Sequence, residues 1–408
     1  MATIRPFRAV RPAKGREDAI AALPYDVFNR KEATEYVKEN PDSFLKIDRA
    51  ETTFPEDVST YDDRVYDKAA ELYNEKLSSG DFVKDEEPCF YLYEQTMNGR
   101  AQTGLVCTAS VSEYVNGTIK KHENTRAEKE EDRIRHVDSL SAQTGPIFLA
   151  YRNKESLNRI FEDIKKSKPY CSFKNNDVLQ RCWEITDKDI IGKIEEEFKS
   201  VPNLYIADGH HRCASAVKVS LKRSNGNISG NEEKDYFLSV VFPDSELMIM
   251  DYNRVVKDLN GLTFSDFLKK VSDSFDVEEI TVTDEKPKQK GDIYMYLDGK
   301  EYRISLKKEF LSKDPVKSLD VSVLQDYLLK PILGIDDPKT DSRIDFVGGI
   351  RGVKELKKRI SEDCRIAFCM YPTSIEELFN VADAGLLMPP KSTWFEPKLL
   401  SGLFIHEI

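Results

Sequence analysis

The residues best suited to chemistry stand together at Asp208-Gly209-His210-His211-Arg212, a carboxylate, a bare backbone position, two imidazoles and a guanidinium in five successive places. A guanidinium is a forked donor matched to phosphate oxygens, and glycine lets the backbone approach a ligand closely. The apolar run Leu204 to Ala207 has strand length, and Cys213, Val217 and Leu221 then recur at i, i+4 and i+8 up to Asn225-Gly226, one face of a helix. The five residues therefore fall on a strand-to-helix turn. The first N–H groups of a helix lack intrahelical partners and carry its positive dipole end, worth roughly 0.3–2 kcal/mol to a bound anion. Gly209, His211 and Arg212 are the expected phosphate or nucleotide contacts. The plainer alternative has Asp208 capping the helix while the histidines face solvent.

A second group begins at His122-Glu123. Thr125 and Glu128 have capping-box spacing, so a helix is expected from there to about Ser141, with Lys129, Asp132, Arg133 and His136 on one face. Charged helical faces are usually just solvated, but this one starts beside a His-Glu pair. Glu123 is suited to take a proton from an attacking hydroxyl with help from His122, and Lys129 and Arg133 to hold phosphate. Neither group alone supplies both an anion cradle and a base, so the two are expected to face one cleft. Near the end of the chain, prolines stiffen Lys391-Ser392-Thr393 beside a Trp-Phe pair; Lys391 and Ser392 are further phosphate candidates, with plain structural docking as the alternative. The glycines of Gly348-Gly349-Ile350-Arg351-Gly352 open another helix, a weak phosphate signal.

The elements that must position these groups alternate between strands and helices. Strands are expected at Ile4 to Val10, Ser43 to Asp48, Cys89 to Glu94, Thr103 to Val115 and Thr118 to His122, the last two joined by a hairpin at Asn116-Gly117. Helices are expected over Arg30 to Glu39, Asp62 to Ser79, Lys154 to Lys165, Lys188 to Phe198, Phe264 to Phe275 and Leu319 to Leu333, with a charged loop from Asp284 to Gly291. This mixture of helices, hairpins and mixed sheets predicts an α+β fold in two lobes. The expected division is 1–257, with the candidate site, and 258–408, whose tail packs back on the body.

The chain has 408 residues, 40% of them apolar, ample for real cores. A net charge of −11 without a basic stripe argues against tight general binding to nucleic acid. The seven cysteines form no CxxC pair and read as reduced core thiols. No window approaches the ~18 apolar residues of a membrane span, and no secretory h-region opens the chain. A cytoplasmic protein is expected.

Over essentially its whole length the sequence resembles the domain-of-unknown-function family numbered 1015. The resemblance rests on Ile4-Arg5-Pro6-Phe7, Pro24-Tyr25-Asp26-Val27, His122-Glu123-x-Thr125 with Lys129 and Asp132-Arg133, Ala207 to Arg212, and Met388 to Lys398 with Ser401-Gly402-Leu403. Over Ile206 to Val217 the turn also looks like the nucleotide-binding turn of the ParB/sulfiredoxin superfamily, which includes free serine kinases. That turn in sulfiredoxins carries a cysteine where this chain has His210, so the resemblance implies phosphoryl transfer and not sulfinic acid reduction.

The function expected is a small-molecule phosphotransferase, or a phosphatase using the same groups, with free serine or phosphoserine among the substrates implied and ADP or ATP as nucleotide. Mg²⁺ is the expected cofactor. Glu123, His122, Asp208 and His210 are the expected catalytic groups, Asp208 either binding the metal or orienting a histidine. No GxxxxGK[ST] is present. Two alternatives stay open: a metal-dependent hydrolase with His122, Asp208, His210 and His211 as ligands, and a non-enzymatic nucleotide-binding regulatory protein.

Overall fold

A computed structural model describes residues 1–125, 127–281 and 285–408. Arg126, before the helix expected from Thr125, and Asp284, at the start of the expected charged loop, lie outside them. The chain forms two compact units, Met1–Leu247 with Pro397–Ile408, and Met248–Glu396.

The first unit is built on a nine-stranded mixed sheet: β1 (Ile4–Arg5), β2 (Phe90–Met97), β3 (Arg100–Ser110), β4 (Ile119–Lys120), β5 (Ile147–Tyr151), β6 (Cys171–Asn175), β7 (Val178–Ile185), β8 (Leu204–Asp208) and β9 (Tyr236–Pro243). Their order is β4-β8-β5-β9-β3-β2-β7-β6, with β1 against β3. The helices of this unit are α1 (Arg30–Glu39), α2 (Asp63–Ser78), α3 (Ala127–Leu140), α4 (Glu155–Lys165), α5 (Lys188–Lys199) and α6 (His210–Arg223). Alternate residues of the central strands, among them Leu92, Leu105, Leu149, Ile206 and Phe237, bury against Leu157 and Phe161 of α4, Ile194 and Phe198 of α5, and Cys213 and Val217 of α6. That alternation is the period-2 pattern of a strand meeting the near-3.6 pattern of a helix. A second core gathers Val37 of α1, Val65, Ala69 and Leu72 of α2, Leu140 of α3 and Ile405 from the returning C-terminal segment.

The second unit carries a six-stranded sheet of β10 (Tyr252–Val256), β11 (Phe275–Ile280), β12 (Asp292–Leu297), β13 (Lys300–Leu306), β14 (Ile344–Gly348) and β15 (Ile366–Cys369), ordered β11-β13-β12-β15-β10-β14 and antiparallel throughout. Helices α7 (Phe264–Ser274), α8 (Gly352–Glu362) and α9 (Ile375–Asp383) belong to it. The protein is an α+β fold, and all seven cysteines are free and buried. Among the described residues no helix is long and apolar enough to cross a membrane.

Four local expectations are corrected. Ser43 to Asp48 is not a strand but leads into a helical turn, Leu45–Asp48, started by the Ser43 hydroxyl accepting the Leu45 N–H at 3.3 Å. The first strand breaks after Arg5, because Pro6 has no N–H to give a ladder. Asn116-Gly117 closes no hairpin: Val111–Val115 is a helical turn, and Gly117, at φ +84°, ends it. The strand that follows, β4, pairs parallel with β8. The helix expected over Leu319 to Leu333 opens as Asp320–Leu324 and widens into a π-helical turn over Gln325–Leu329.

Candidate functional site

At the end of β8 the register against β5 slips between Ile206 and Asp208, and Gly209 turns the chain into α6 with φ +88°. The N-cap, Gly209, brings no side chain to the first turn of α6. The Asp208 carboxylate is used elsewhere: Oδ1 accepts the Gly209 N–H at 2.9 Å and Oδ2 accepts the Lys398 ammonium at 3.0 Å. Burial alone would raise this carboxyl, but Lys398 and Arg212 outweigh it and hold the group well below the usual carboxylate range. Arg212 folds back over Gly209 and donates Nη1 to the Pro146 carbonyl at 2.9 Å. Among the described residues it makes no ion pair with a carboxylate, and its Nε and Nη2 have no hydrogen-bond partner.

The parallel pairing of β4 with β8, at Ile119↔Leu204 and Lys120↔Tyr205, carries His122 to the same turn. The His122 and His210 rings meet edge to face, 4.5 Å between centroids, and the His122 N–H points at His210 Nε2 over 3.5 Å. Both are buried. Burial pushes His122 down to about 4 against the pull of Asp208, and burial together with the His122 ring pushes His210 well below the ordinary imidazole value. Both rings are therefore neutral near pH 7, and His122 Nδ1 is buried without a partner among the described residues.

The lowered His122 value makes stability pH-dependent. The unfolded chain, with an imidazole pKa near 6.5, binds a proton in the window from there down to about 4 that the folded chain refuses, so stability is full above the window and falls as pH drops through it. The loss is about 3 kcal/mol, from about 2.5 units at 1.36 kcal/mol each. Denaturant unfolding at pH 7 and pH 4.5 should show it, and His122→Asn should flatten the dependence; an equal slope in the variant would assign the loss to other groups.

Lys398 was not singled out by its spacing, although it lies in the quoted C-terminal motif. Its backbone is fixed by a buried amide network on the sheet: Gln95 Nε2 donates to the Lys398 carbonyl at 2.9 Å and to Gln180 Oε1 at 3.2 Å, which also accepts the Tyr93 hydroxyl at 2.6 Å. The ammonium is thereby delivered to Asp208 from 190 positions away.

On α3 the shared face holds as expected but is unequally exposed: Lys129 lies in solvent, whereas Arg133 and His136 are buried. Asp132 receives the Tyr66 hydroxyl on Oδ1 at 2.8 Å and Arg133 Nε on Oδ2 at 2.9 Å. The Arg133 guanidinium stacks on Tyr25 at 4.0 Å. His136 Nε2 lies 3.2 Å from Asp48 Oδ1 but off the line a hydrogen bond needs, so the contact is electrostatic. The Thr125 hydroxyl donates to Glu130 at 2.5 Å. Arg133, His136, Tyr25 and Asp48 line a cavity of about 220 Å³ and, with Arg212 and Ser401, a smaller one of about 30 Å³. The α3 face and the α6 turn thus border the same small space. Tyr25, Asp48 and Ser401 are the wall residues the sequence did not nominate for the site. Glu123 follows His122 and is half-buried; His211 is half-buried on the first turn of α6.

Lys391 and Ser392 belong to the second unit. Lys391, exposed and at φ +60°, gives its carbonyl to Arg254 Nη2 at 2.9 Å, and the Ser392 hydroxyl is spent on the Pro389 carbonyl at 2.6 Å.

A family model matches residues 4–322. The chain belongs to the family described as protein of unknown function (DUF1015). A search of the curated proteins finds no match. Among solved structures, this DUF1015 chain is similar to a mutant free serine kinase in complex with AMP, at 13% identity and TM-score 0.37, over 73% of this chain and 91% of that one. It is also similar to a conserved hypothetical protein from Pyrococcus furiosus, at 15% identity and TM-score 0.35, over 73% and 94%, and to a C-terminally truncated SbnI from Staphylococcus aureus, at 11% identity and TM-score 0.37, over 71% and 82%. Among the described residues the groups that gather metal-ligand atoms closely are limited to Asp85, Cys89 and Glu184, where Arg11 already pairs with Asp85 at 2.9 Å; His122, Asp208, His210 and His211 form no such group.

Proposed function

We propose that the first unit is a phosphotransferase acting on a small molecule, with a nucleotide or another phosphate ester as donor. The observation that carries this reading is Arg212: a half-buried guanidinium, coupled in charge to Asp208 but, among the described residues, in no ion pair and with one hydrogen bond, to the Pro146 carbonyl, beside the N-terminus of α6 and a left-handed glycine. Protein interiors pair their charges, and an arginine kept open in this setting is matched to an anion that arrives from outside. Arg212, His211 and the first N–H groups of α6 hold the transferred phosphoryl group, and Lys398 stands on its Asp208 side. Arg133, which lines the small cavity with Arg212, and Lys129, exposed on the same helix, are the candidates for further phosphate contacts from α3.

The acceptor hydroxyl oxygen forms the new bond to phosphorus while the bond to the donor oxygen breaks, and the leaving group takes that electron pair. The hydroxyl proton passes to Glu123. His122 and His210, both neutral, add no positive charge to the site and fix the position of the turn. Mg²⁺ accompanies nucleotides and offsets phosphate charge. Asp208 has one oxygen on Gly209 and the other on Lys398, so a metal held there would share the carboxylate with an ammonium 3.0 Å away.

Arg212→Lys tests the cradle, because lysine keeps the charge and loses the fork. Loss of one charge-assisted hydrogen bond costs on the order of 1.5–3 kcal/mol, about ten- to a hundredfold in affinity for phosphate or nucleotide by calorimetry. Unchanged affinity removes Arg212 from the site, and a large drop in thermal stability makes it structural.

A further inference from the structure

Cys171 and Cys182 face each other across the strand pair at one edge of the first unit's sheet. β6 ends that sheet and joins β7 through Asn176-Asp177, whose φ angles of +47° and +64° suit a tight hairpin connection. From the turn the register runs from Asn175↔Val178 out to Cys171↔Cys182. Directly opposed residues of an antiparallel pair put their side chains on one face with Cα atoms about 4.5–5.5 Å apart, inside the span of about 4.4–6.8 Å that a disulfide bridges. Among the described residues no other two cysteines are opposed in this way: Cys107 faces Ser239, Cys369 faces Tyr294 and Cys89 faces Phe7. The Tyr170 N–H donates to the Cys182 carbonyl at 2.8 Å and holds this end of β6 against β7.

From this pairing we infer that Cys171 and Cys182 are a redox-active dithiol that a hydroperoxide converts to an intramolecular disulfide. The inference stands apart from the phosphotransfer reading. Cys171, 6% exposed, is on the edge strand, and Cys182, 0% exposed, is one strand further in, so the peroxide meets Cys171 first when the edge frays. The Cys171 thiolate attacks a peroxide oxygen and the O–O bond breaks. Its sulfur becomes a sulfenic acid, and the departing hydroxide or alkoxide takes the proton that the thiol gave up. Cys182 needs no access to solvent. Its sulfur attacks Cys171 Sγ, the S–S bond forms as the S–O bond breaks, and the hydroxide that leaves takes the Cys182 proton as water. The peroxide gains the two electrons that the thiols lose. Burial, with the Cys171 thiol beside it, pushes the Cys182 thiol well up, and the thiolate is the reactive form, so closure is slow at pH 7 and quickens as pH rises. The bridge closes the open end of the hairpin beside Tyr93, which faces Cys182 from β2 and gives its hydroxyl to Gln180 in the network that fixes Lys398.

The test begins with the full chain reduced, freed of reductant and incubated with an excess of hydrogen peroxide. Its thiols are then counted in denaturant, and its peptides are mapped by mass spectrometry without reduction. The count should fall by two from seven, recover with dithiothreitol, and fall faster at pH 9 than at pH 7. The map should join the peptide of Cys171 to that of Cys182. Cys171→Ser should form no disulfide. Cys182→Ser should stop at the sulfenic acid, which dimedone labels at Cys171. Thermal unfolding run alongside shows whether the variants fold, and the map of the parent chain decides the pairing without them. All seven thiols surviving the peroxide, a disulfide that joins other cysteines, or oxidation of Cys171 and Cys182 that dithiothreitol cannot reverse overturns the inference.

Discussion

Glu123→Gln is expected to lower turnover by about a hundred- to ten-thousandfold, the usual contribution of a positioned general base, while phosphate and nucleotide affinity stay within about threefold of the parent. The choice of Glu123 follows from what its neighbours cannot do. Asp208 has both oxygens occupied and is held so far below the normal carboxylate range that it is a poor proton acceptor. Burial pushes His122 down to about 4 and holds His210 well below the ordinary imidazole value, so neither ring is a ready base near pH 7. Glu123, half-buried and next to His122, is the carboxylate that follows β4 at this end of the sheet. Glutamine keeps its shape and removes its basicity. The measurement is release of nucleoside diphosphate from ATP in the presence of serine, with calorimetry alongside. Unaltered turnover sinks the general-base role. A parent protein that binds nucleotide but turns nothing over, with or without the substitution, favours the regulatory binding protein over the enzyme.

The strand-turn-helix at Asp208 to Arg212 was legible because local rules govern it: an apolar run of strand length, a glycine, then apolar residues spaced as on a helix. The α3 face was legible for the same reason, although periodicity cannot tell that Arg133 and His136 are buried while Lys129 is not. Asn116-Gly117 was misread because a left-handed glycine serves equally well to end a helical turn and to close a hairpin, and the dipeptide carries no information on which strand comes next. Asp48 was hidden inside an apparent strand. The approach of His122 to His210, 88 positions apart, depends on the parallel pairing of β4 with β8, and the Lys398 to Asp208 ion pair on a tail returning across 190. Such contacts are set by tertiary packing and leave no periodic trace.

That return of the tail has a point at which it is most sensitive. Gly402 lies at φ +73°, between the Ser401 backbone paired with Ala22 and the Leu403 to Ile405 run buried in the first unit. Its N–H donates to the Thr144 carbonyl at 2.9 Å, so the backbone there cannot shift without giving up a buried bond. A Cβ built on it would stand 2.3 Å from Phe44 Cγ, and Phe44 is itself fully buried against Phe82. Gly402→Ala therefore combines the left-handed penalty, about 1–2 kcal/mol, with overpacking of an aromatic ring, about 1–3 kcal/mol. The expected loss is about 3–4 kcal/mol, a large share of a typical domain's stability. Gly117→Ala separates the two contributions: its φ is +84° but its Cβ would meet nothing within 4 Å, so only the conformational part applies. Denaturant unfolding of both variants should show Gly402→Ala losing at least about twice as much as Gly117→Ala. Equal losses would mean that Phe44 yields and the tail is loosely held. A large excess should also lower phosphate affinity at α6, because Lys398 reaches Asp208 only while the segment behind it stays docked.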